Sequence, residues 1–191
     1  MISDGSNTAT ALGTIDPCVE VANSEGNTFV MDAFLDSVPP DEDLDGYSYL
    51  LNFPDSAVEM SAQDHEFIIP GSGGDLSDVV PDTASPHPVT LANLAGTTAP
   101  ANTKGVLGRY TFTVLTGAAD GFYLFSFDPT PGLFSFVRAS DGADWWYGPD
   151  GAVGGGDDKG GEIWDASHSP IYGVLALGDR SCTGGLPTPI P

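Results

Sequence analysis

Between Val38 and Phe53 the chain reads V-P-P-D-E-D-L-D-G-Y-S-Y-L-L-N-F, and Asp41, Asp43, Asp45 and Gly46 stand in the D-x-D-x-D-G order that opens a helix-flanked calcium loop. Such a loop also requires an entering helix, a bidentate Glu at its twelfth position and an exiting helix. Pro39 and Pro40 exclude a helix that runs into the loop. The twelfth position is Asn52, inside an alternating run that reads as a strand. The helix-loop-helix reading therefore fails. Two readings stay open: a solvated acidic turn feeding a strand, or a non-helical calcium site made by Asp41, Asp43 and Asp45. In the second, a divalent ion would relieve the repulsion among four acids in five residues.

Other reactive combinations are sparse. Asp64-His65-Glu66 is the densest polar triplet, but it has no second histidine at ligand spacing and reads as a turn at a strand edge. His87, between Pro86 and Pro88, and His168 read as loop residues. Close carboxylate pairs are expected by chance among 27 acids, and no G-x-S-x-G elbow is present. No catalytic constellation emerges, and the chain reads as a non-enzyme. Trp145, Trp146 and Tyr147 are neighbouring aromatics in a glycine-rich stretch. They suit either a subunit interface or packing onto the domain, or a flat platform for sugar rings in a carbohydrate-binding module.

The totals narrow the partners. Five basic residues face 27 acidic ones, a formal charge of -22, which disfavours nucleic acid and anionic membrane and favours cations or basic surfaces. No apolar run approaches the ~20 residues of a membrane span. Cys18 and Cys182 sit near opposite ends with no C-x-x-C partner, which argues against zinc and dithiol chemistry. They would form one long-range disulfide if the ends meet, contributing roughly 2 to 5 kcal/mol; the alternative is two buried thiols. The composition suits an extracellular or cell-surface location.

The elements that must position these residues are strands. Twenty-five glycines and sixteen prolines break the chain at short intervals. The segments between them are aromatic, β-branched and alternating. In 28–36, Phe29, Met31, Ala33 and Leu35 share one side; in 46–53, Tyr47, Tyr49, Leu51 and Phe53 do; in 106–115, Val106, Tyr110, Phe112 and Val114 do. Further strands are expected over 18–22, 58–61, 66–69, 88–94, 122–127, 133–138 and 171–177, with single helical turns over 55–59 and 75–80. The spacing predicts an all-β fold, an antiparallel sandwich of about nine strands. One domain over 1–185 is expected, with an N-terminal arm at 1–15, a Gly/Asp-rich insertion at 141–165 and a Pro-rich tail or linker at 186–191.

V38-P-P-D-E-D-L-D-G-Y-S-Y-L-L-N-F-P-D-S-A-V-E-M60 resembles the cohesin-domain stretch in which a Val-Pro step leads through a glycine and an alternating strand into an Asp-x-x-Val-Glu turn. K104-G-V-L-G-R-Y-T-F-T-V-L115 is similar to the family's glycine-led strand. Order and spacing agree over about two thirds of the chain, residues 17–138. The resemblance implies a jelly-roll sandwich whose first and last strands are neighbours, which would bring Cys18 toward Cys182. It also implies a non-catalytic extracellular module for protein-protein assembly, either a scaffold domain or the repeating subunit of a surface filament. Its partners would be other copies of itself or another extracellular protein, with polysaccharide as the alternative. No cofactor is implied beyond the calcium considered above. The N-terminal arm or the tail would suit strand addition to the sheet edge of a neighbouring copy.

Overall fold

Alternating segments of this kind bury one face each, and two sheets closing on each other satisfy all of them at once. The computed structural model describes residues 2–3, 7–8, 11–13, 15–35, 38, 43–71, 73–128, 135–139, 144–146 and 172–184. Twelve strands are present among them: β1 (Ile2–Ser3), β2 (Ile15–Asp16), β3 (Cys18–Val21), β4 (Thr28–Leu35), β5 (Leu44–Asn52), β6 (Val58–Asp64), β7 (His87–Ala92), β8 (Gly105–Val114), β9 (Gly121–Phe127), β10 (Ser135–Arg138), β11 (Asp144–Trp146) and β12 (Tyr172–Leu177). Three are only two or three residues long, leaving nine of four or more. A single 3-10 turn, Cys182–Gly184, is the helical element among the described residues.

One sheet runs β2-β1-β4-β8-β6. The other runs β11-β10-β5-β9-β12-β3, with β7 pairing the remaining side of β5. Every strand pair is antiparallel but one. β12 and β3 run parallel, Val174 opposite Cys18 through Leu177 opposite Val21. The expected antiparallel sandwich is thus corrected at its first and last long strands, which are neighbours and enter the sheet from the same end.

The inward residues are those the alternation selects, except at the start of β8, where the register shift puts Leu107 in this core in place of Val106. Phe29, Met31, Ala33 and Leu35 of β4 face Tyr47, Tyr49 and Leu51 of β5 across a core in which Tyr110, Phe112 and Val114 of β8 are also buried. Phe112 sits among three rings, with centroids 5.6 Å from Phe29, 5.6 Å from Phe53 and 4.9 Å from Phe125. Burying one such side chain contributes about 1.5 to 3 kcal/mol. A β-bulge between Ala33 and Phe34 lets β4 follow β8 past Gly108. A Cβ at Gly108 would lie 2.5 Å from the Tyr110 hydroxyl and 2.7 Å from the His65 ring, so only glycine fits.

Three local expectations change. Residues 66–69 form no strand: the Asp64 carboxylate accepts the Glu66 N–H at 2.9 Å and turns the chain, and Ile68 and Ile69 plug the core. Residues 75–80 form no helical turn. Leu76 N–H and Asp78 N–H donate to Thr90 and Pro88 carbonyls at 2.9 and 3.0 Å, so the segment lies extended along β7. The turn over 55–59 narrows to residues 55–57, closed by Ala57 N–H on the Pro54 carbonyl at 2.9 Å.

The described residues of the N-terminal arm pack on their own chain. Ile2 lies opposite Met31 of β4 and Asp16 of β2. Asn7 is buried over the outer side of the five-stranded sheet, where its Nδ2 donates to Asp32 at 3.1 Å and its carbonyl accepts from Arg109 at 3.0 Å. At the other end, β12 stops at Gly178, whose φ of 73° no residue with a Cβ adopts easily. The chain turns back there, and Cys182 reaches Cys18 in a disulfide with Cα atoms 5.9 Å apart. Cys18, Val174, Ala176 and Cys182 make a small second core outside the sandwich. The tail at 186–191 lies outside the described residues, as does all of the 141–165 insertion except 144–146.

Candidate interaction surface

Alternation that buries one face of the seven-stranded sheet turns the other outward. The outward positions are Ser48, Leu50 and Asn52 of β5, Pro88, Thr90 and Ala92 of β7, and Phe122, Leu124 and Ser126 of β9. None of these is charged, in a chain with 27 acids. Phe122 and Leu124 are exposed at 38% and 42%, and Leu76, on the strip beside β7, at 68%. The outer side of the five-stranded sheet differs, carrying Asp32, Glu59 and Arg109. Acids rim the uncharged face instead: Asp78 next to β7, and Glu20 on β3, whose Oε1 accepts from Ser181 Oγ at 2.8 Å and Cys182 N at 2.7 Å. Those two hydrogen bonds, the Ser181 one foremost, hold the Glu20 carboxyl below its ordinary range.

The free edge beside β7 is closed to backbone pairing. Gly74, Leu76 and Asp78 bond toward β7. The outward N–H groups of Ser77 and Val79 donate to the carboxylates of Asp75 and Asp78, at 3.0 and 3.1 Å.

Two histidines tie this edge to the opposite sheet, and both correct the sequence reading. His65 does lie in the turn that follows β6, but it is buried there instead of facing solvent. Its Nδ1 donates to Asp75 at 2.8 Å, and its Nε2 meets the Tyr110 hydroxyl at 3.1 Å. That hydroxyl in turn bonds the Tyr49 hydroxyl. Burial, above all, pushes Tyr47, Tyr49 and Tyr110 well above the ordinary phenol range, so all three stay protonated donors. His87 opens β7 fully buried, not in a loop; its Nδ1 bonds Asp82 at 2.6 Å and its Nε2 bonds Gln63 at 2.8 Å. His168 lies outside the described residues.

Asp75, His65 and Ser77 superficially resemble a nucleophile-activating set. Ser77 Oγ, however, shares Nδ1 with Asp75, at 3.5 Å, while Nε2 is directed at a buried tyrosine. A nucleophile must face the nitrogen opposite the orienting carboxylate, so this arrangement stitches sheets together and activates nothing.

The sequence candidates fall as follows. Asp41 lies outside the described residues. Asp43 accepts from Ala101 N at 2.9 Å and Thr98 Oγ1 at 3.4 Å, and Asp45 from Asn93 Nδ2 at 2.7 Å. Both carboxylates thus hold the loop after β7, and among the described residues no three His, Cys, Asp or Glu side chains group as metal ligands. Trp145 and Trp146 lie on β11, opposite Phe136 and Ser135 of β10, at one edge of the seven-stranded sheet; Tyr147 lies outside the described residues. Cys18 and Cys182 are paired. The uncharged sheet face and the pairing of buried Asp32 with half-buried Arg109 went unnoticed in the sequence. The alternation of β5 and β9 could have revealed the first; the pair needs the register of β4 on β8.

No family model and no curated protein matches the chain. Solved structures do. It is similar to the seventh ScaB type I cohesin of Pseudobacteroides cellulosolvens, at 16% identity and a TM-score of 0.57, over 86% of this chain and 92% of that one. It is similar to the sixth cohesin of Acetivibrio cellulolyticus scaffoldin B, solved in complex with a mutant Cel5 dockerin, at 14% identity and TM-score 0.56, covering 83% and 94%. A third is the OlpC cohesin of Clostridium thermocellum in complex with a dockerin, at 15% identity and TM-score 0.55, covering 88% and 98%. At these identities the likeness is one of architecture, and it agrees with the motifs at 38–60 and 104–115: this chain folds as a cohesin-like jelly-roll domain.

Proposed function

We propose that this chain is a non-catalytic module for protein-protein assembly, acting outside the cell or at its surface as a scaffold domain or a repeating subunit. The observation that carries the reading is the uncharged outer face of β5, β7 and β9 in a chain of formal charge -22. Desolvating a carboxylate against a partner is costly, so a face meant for contact keeps its centre free of acids and leaves them at the rim. The partner that fits is a folded protein with an apolar centre and basic groups around it. Two of the similar cohesins were solved with dockerins on them, which supports a partner of that kind. The disulfide supports an oxidising compartment.

The test is calorimetric titration of the chain with the dockerins crystallised beside its structural relatives, together with sedimentation of the chain alone. Heteromeric or homomeric binding that Leu124→Asp abolishes while the fold is kept supports the reading. Absence of both kinds of binding, or binding indifferent to Leu124→Asp and Phe122→Ser, rejects it.

A further inference from the structure

The two ends of the span from β3 to the turn after β12 meet at one point. Cys18 begins β3, and Cys182 follows the turn that brings the chain back from the end of β12; their Cα atoms are 5.9 Å apart across 164 residues of sequence. The return is anchored independently of the sulfurs. Gly178 N–H donates to the Val21 carbonyl at 2.9 Å, and Glu20 accepts from both Ser181 and the Cys182 N–H. Both ends of the disulfide rest on the small core with Val174 and Ala176.

We infer that the Cys18–Cys182 bond is a tension bypass. A pull applied to the segments before Cys18 and after Cys182 passes from one backbone to the other through the two sulfurs. β4 to β11, all of the described sandwich core between them and the uncharged sheet face lie within the closed span and carry none of it. The domain therefore hangs from a stretched strand as a side loop instead of being a bead in line with it. Among the described strands, only β1 and β2 of the N-terminal arm are exposed to the pull. The arm's described attachments to the body are the β1 pairing with β4, the Asn7 bonds to Asp32 and Arg109, and the Val106 and Val174 N–H groups donating to the Thr8 and Pro17 carbonyls at 3.2 and 2.8 Å, all non-covalent. The arm is thus the part that yields first, and it yields without opening the sandwich. This holds whichever partner the sheet face takes, so it stands or falls apart from the function proposed above.

The experiment is single-molecule stretching of the full chain with handles at residues 1 and 191. Unreduced protein should show one short extension from the arm, residues 1–17, of about 60 Å, and then none up to handle rupture. After reduction, the 164-residue span between the cysteines should release about 570 Å more. A Cys18→Ser/Cys182→Ser protein should behave as the reduced one. Should that variant not fold, the same unreduced protein pulled between residue 1 and the exposed turn at Gly117 loads both branches of the closed span and should unfold in a step set by the shorter branch, residues 117–182, of about 230 Å. A full-length release from the unreduced chain pulled by its ends overturns the inference, as do two free thiols titrated in the unfolded, unreduced protein.

Discussion

Asp32 and Arg109 lie directly opposite each other on β4 and β8, and their side chains meet on the outer side of the five-stranded sheet, Nε to Oδ1 at 2.7 Å and Nη2 to Oδ2 at 2.9 Å. Asp32 is fully buried there beneath Asn7, and the guanidinium lies 4.9 Å from the centre of the Phe67 ring. The carboxylate, the largest influence on Arg109, raises the guanidinium's proton affinity still further. A forked, charge-assisted pair of this kind fixes register as well as contributing energy.

Removing one partner leaves the other without its charge complement. Asp32→Ala should cost about 2 to 4 kcal/mol in urea denaturation and should loosen the arm, seen as faster hydrogen exchange at residues 2–8. The double change Asp32→Leu/Arg109→Met should cost less than Asp32→Ala alone, because no charge is then stranded.

Acid should weaken the edge beside β7. Burial tends to raise the Asp75 carboxyl, but the His65 and Ser77 hydrogen bonds outweigh it and hold it below the ordinary range. A carboxyl depressed on folding contributes stability that is present above its unfolded value of about 3.9 and is lost as pH falls through its folded value. The stability gap between wild type and Asp75→Asn should therefore be constant from pH 7 to about 5 and close below about 4, as read from denaturant midpoints at each pH.

Gly108→Ala places a methyl against the Tyr110 hydroxyl and the His65 ring, both themselves locked in hydrogen bonds. Overpacking of this sort costs about 1 to 3 kcal/mol. Tyr110→Phe keeps the packing but leaves the Tyr49 hydroxyl and His65 Nε2 without their shared partner, for a similar loss of about 1 to 3 kcal/mol. Thermal melts of the two variants measure both.

Salt should stabilise the fold. At a formal charge of -22 the compact state repels itself more than the expanded one, and added KCl shortens the reach of that repulsion to ~3 Å at 1 M. The melting midpoint should climb with KCl, by about 2 to 4 °C for each ~1 kcal/mol of repulsion relieved. Lys104→Glu, which adds charge at an exposed position, should steepen the dependence.

Much of the architecture could be read from the sequence because period-two burial is written directly in residue type: Phe29, Met31, Ala33 and Leu35, or Tyr47, Tyr49 and Leu51, leave little doubt about which side faces in. The Ile68-Ile69 run misled because an apolar segment that plugs the end of a sandwich has the same composition as a short strand. The difference lies in an Asp64 side chain that turns the backbone. Both histidines misled for a related reason. Flanking acids and prolines suggest solvent, while Gln63, Asp75 and Asp82 supply hydrogen-bond partners that only the meeting of two sheets reveals. The acids at 41–46 left a turn and a calcium site both open, and no local pattern could show that the carboxylates of Asp43 and Asp45 accept from Ala101, Thr98 and Asn93, some fifty residues away in sequence.

An all-β molecule crowded against copies of itself usually risks zipping edge to edge into a continuous ladder. Here the carboxylates of Asp75 and Asp78 already occupy the outward amides of Ser77 and Val79 on the strip beside β7. A visiting strand finds negative charge where it needs free donors. Association at that border is thereby denied its generic, sequence-blind route, and whatever docks nearby must be chosen by side-chain fit.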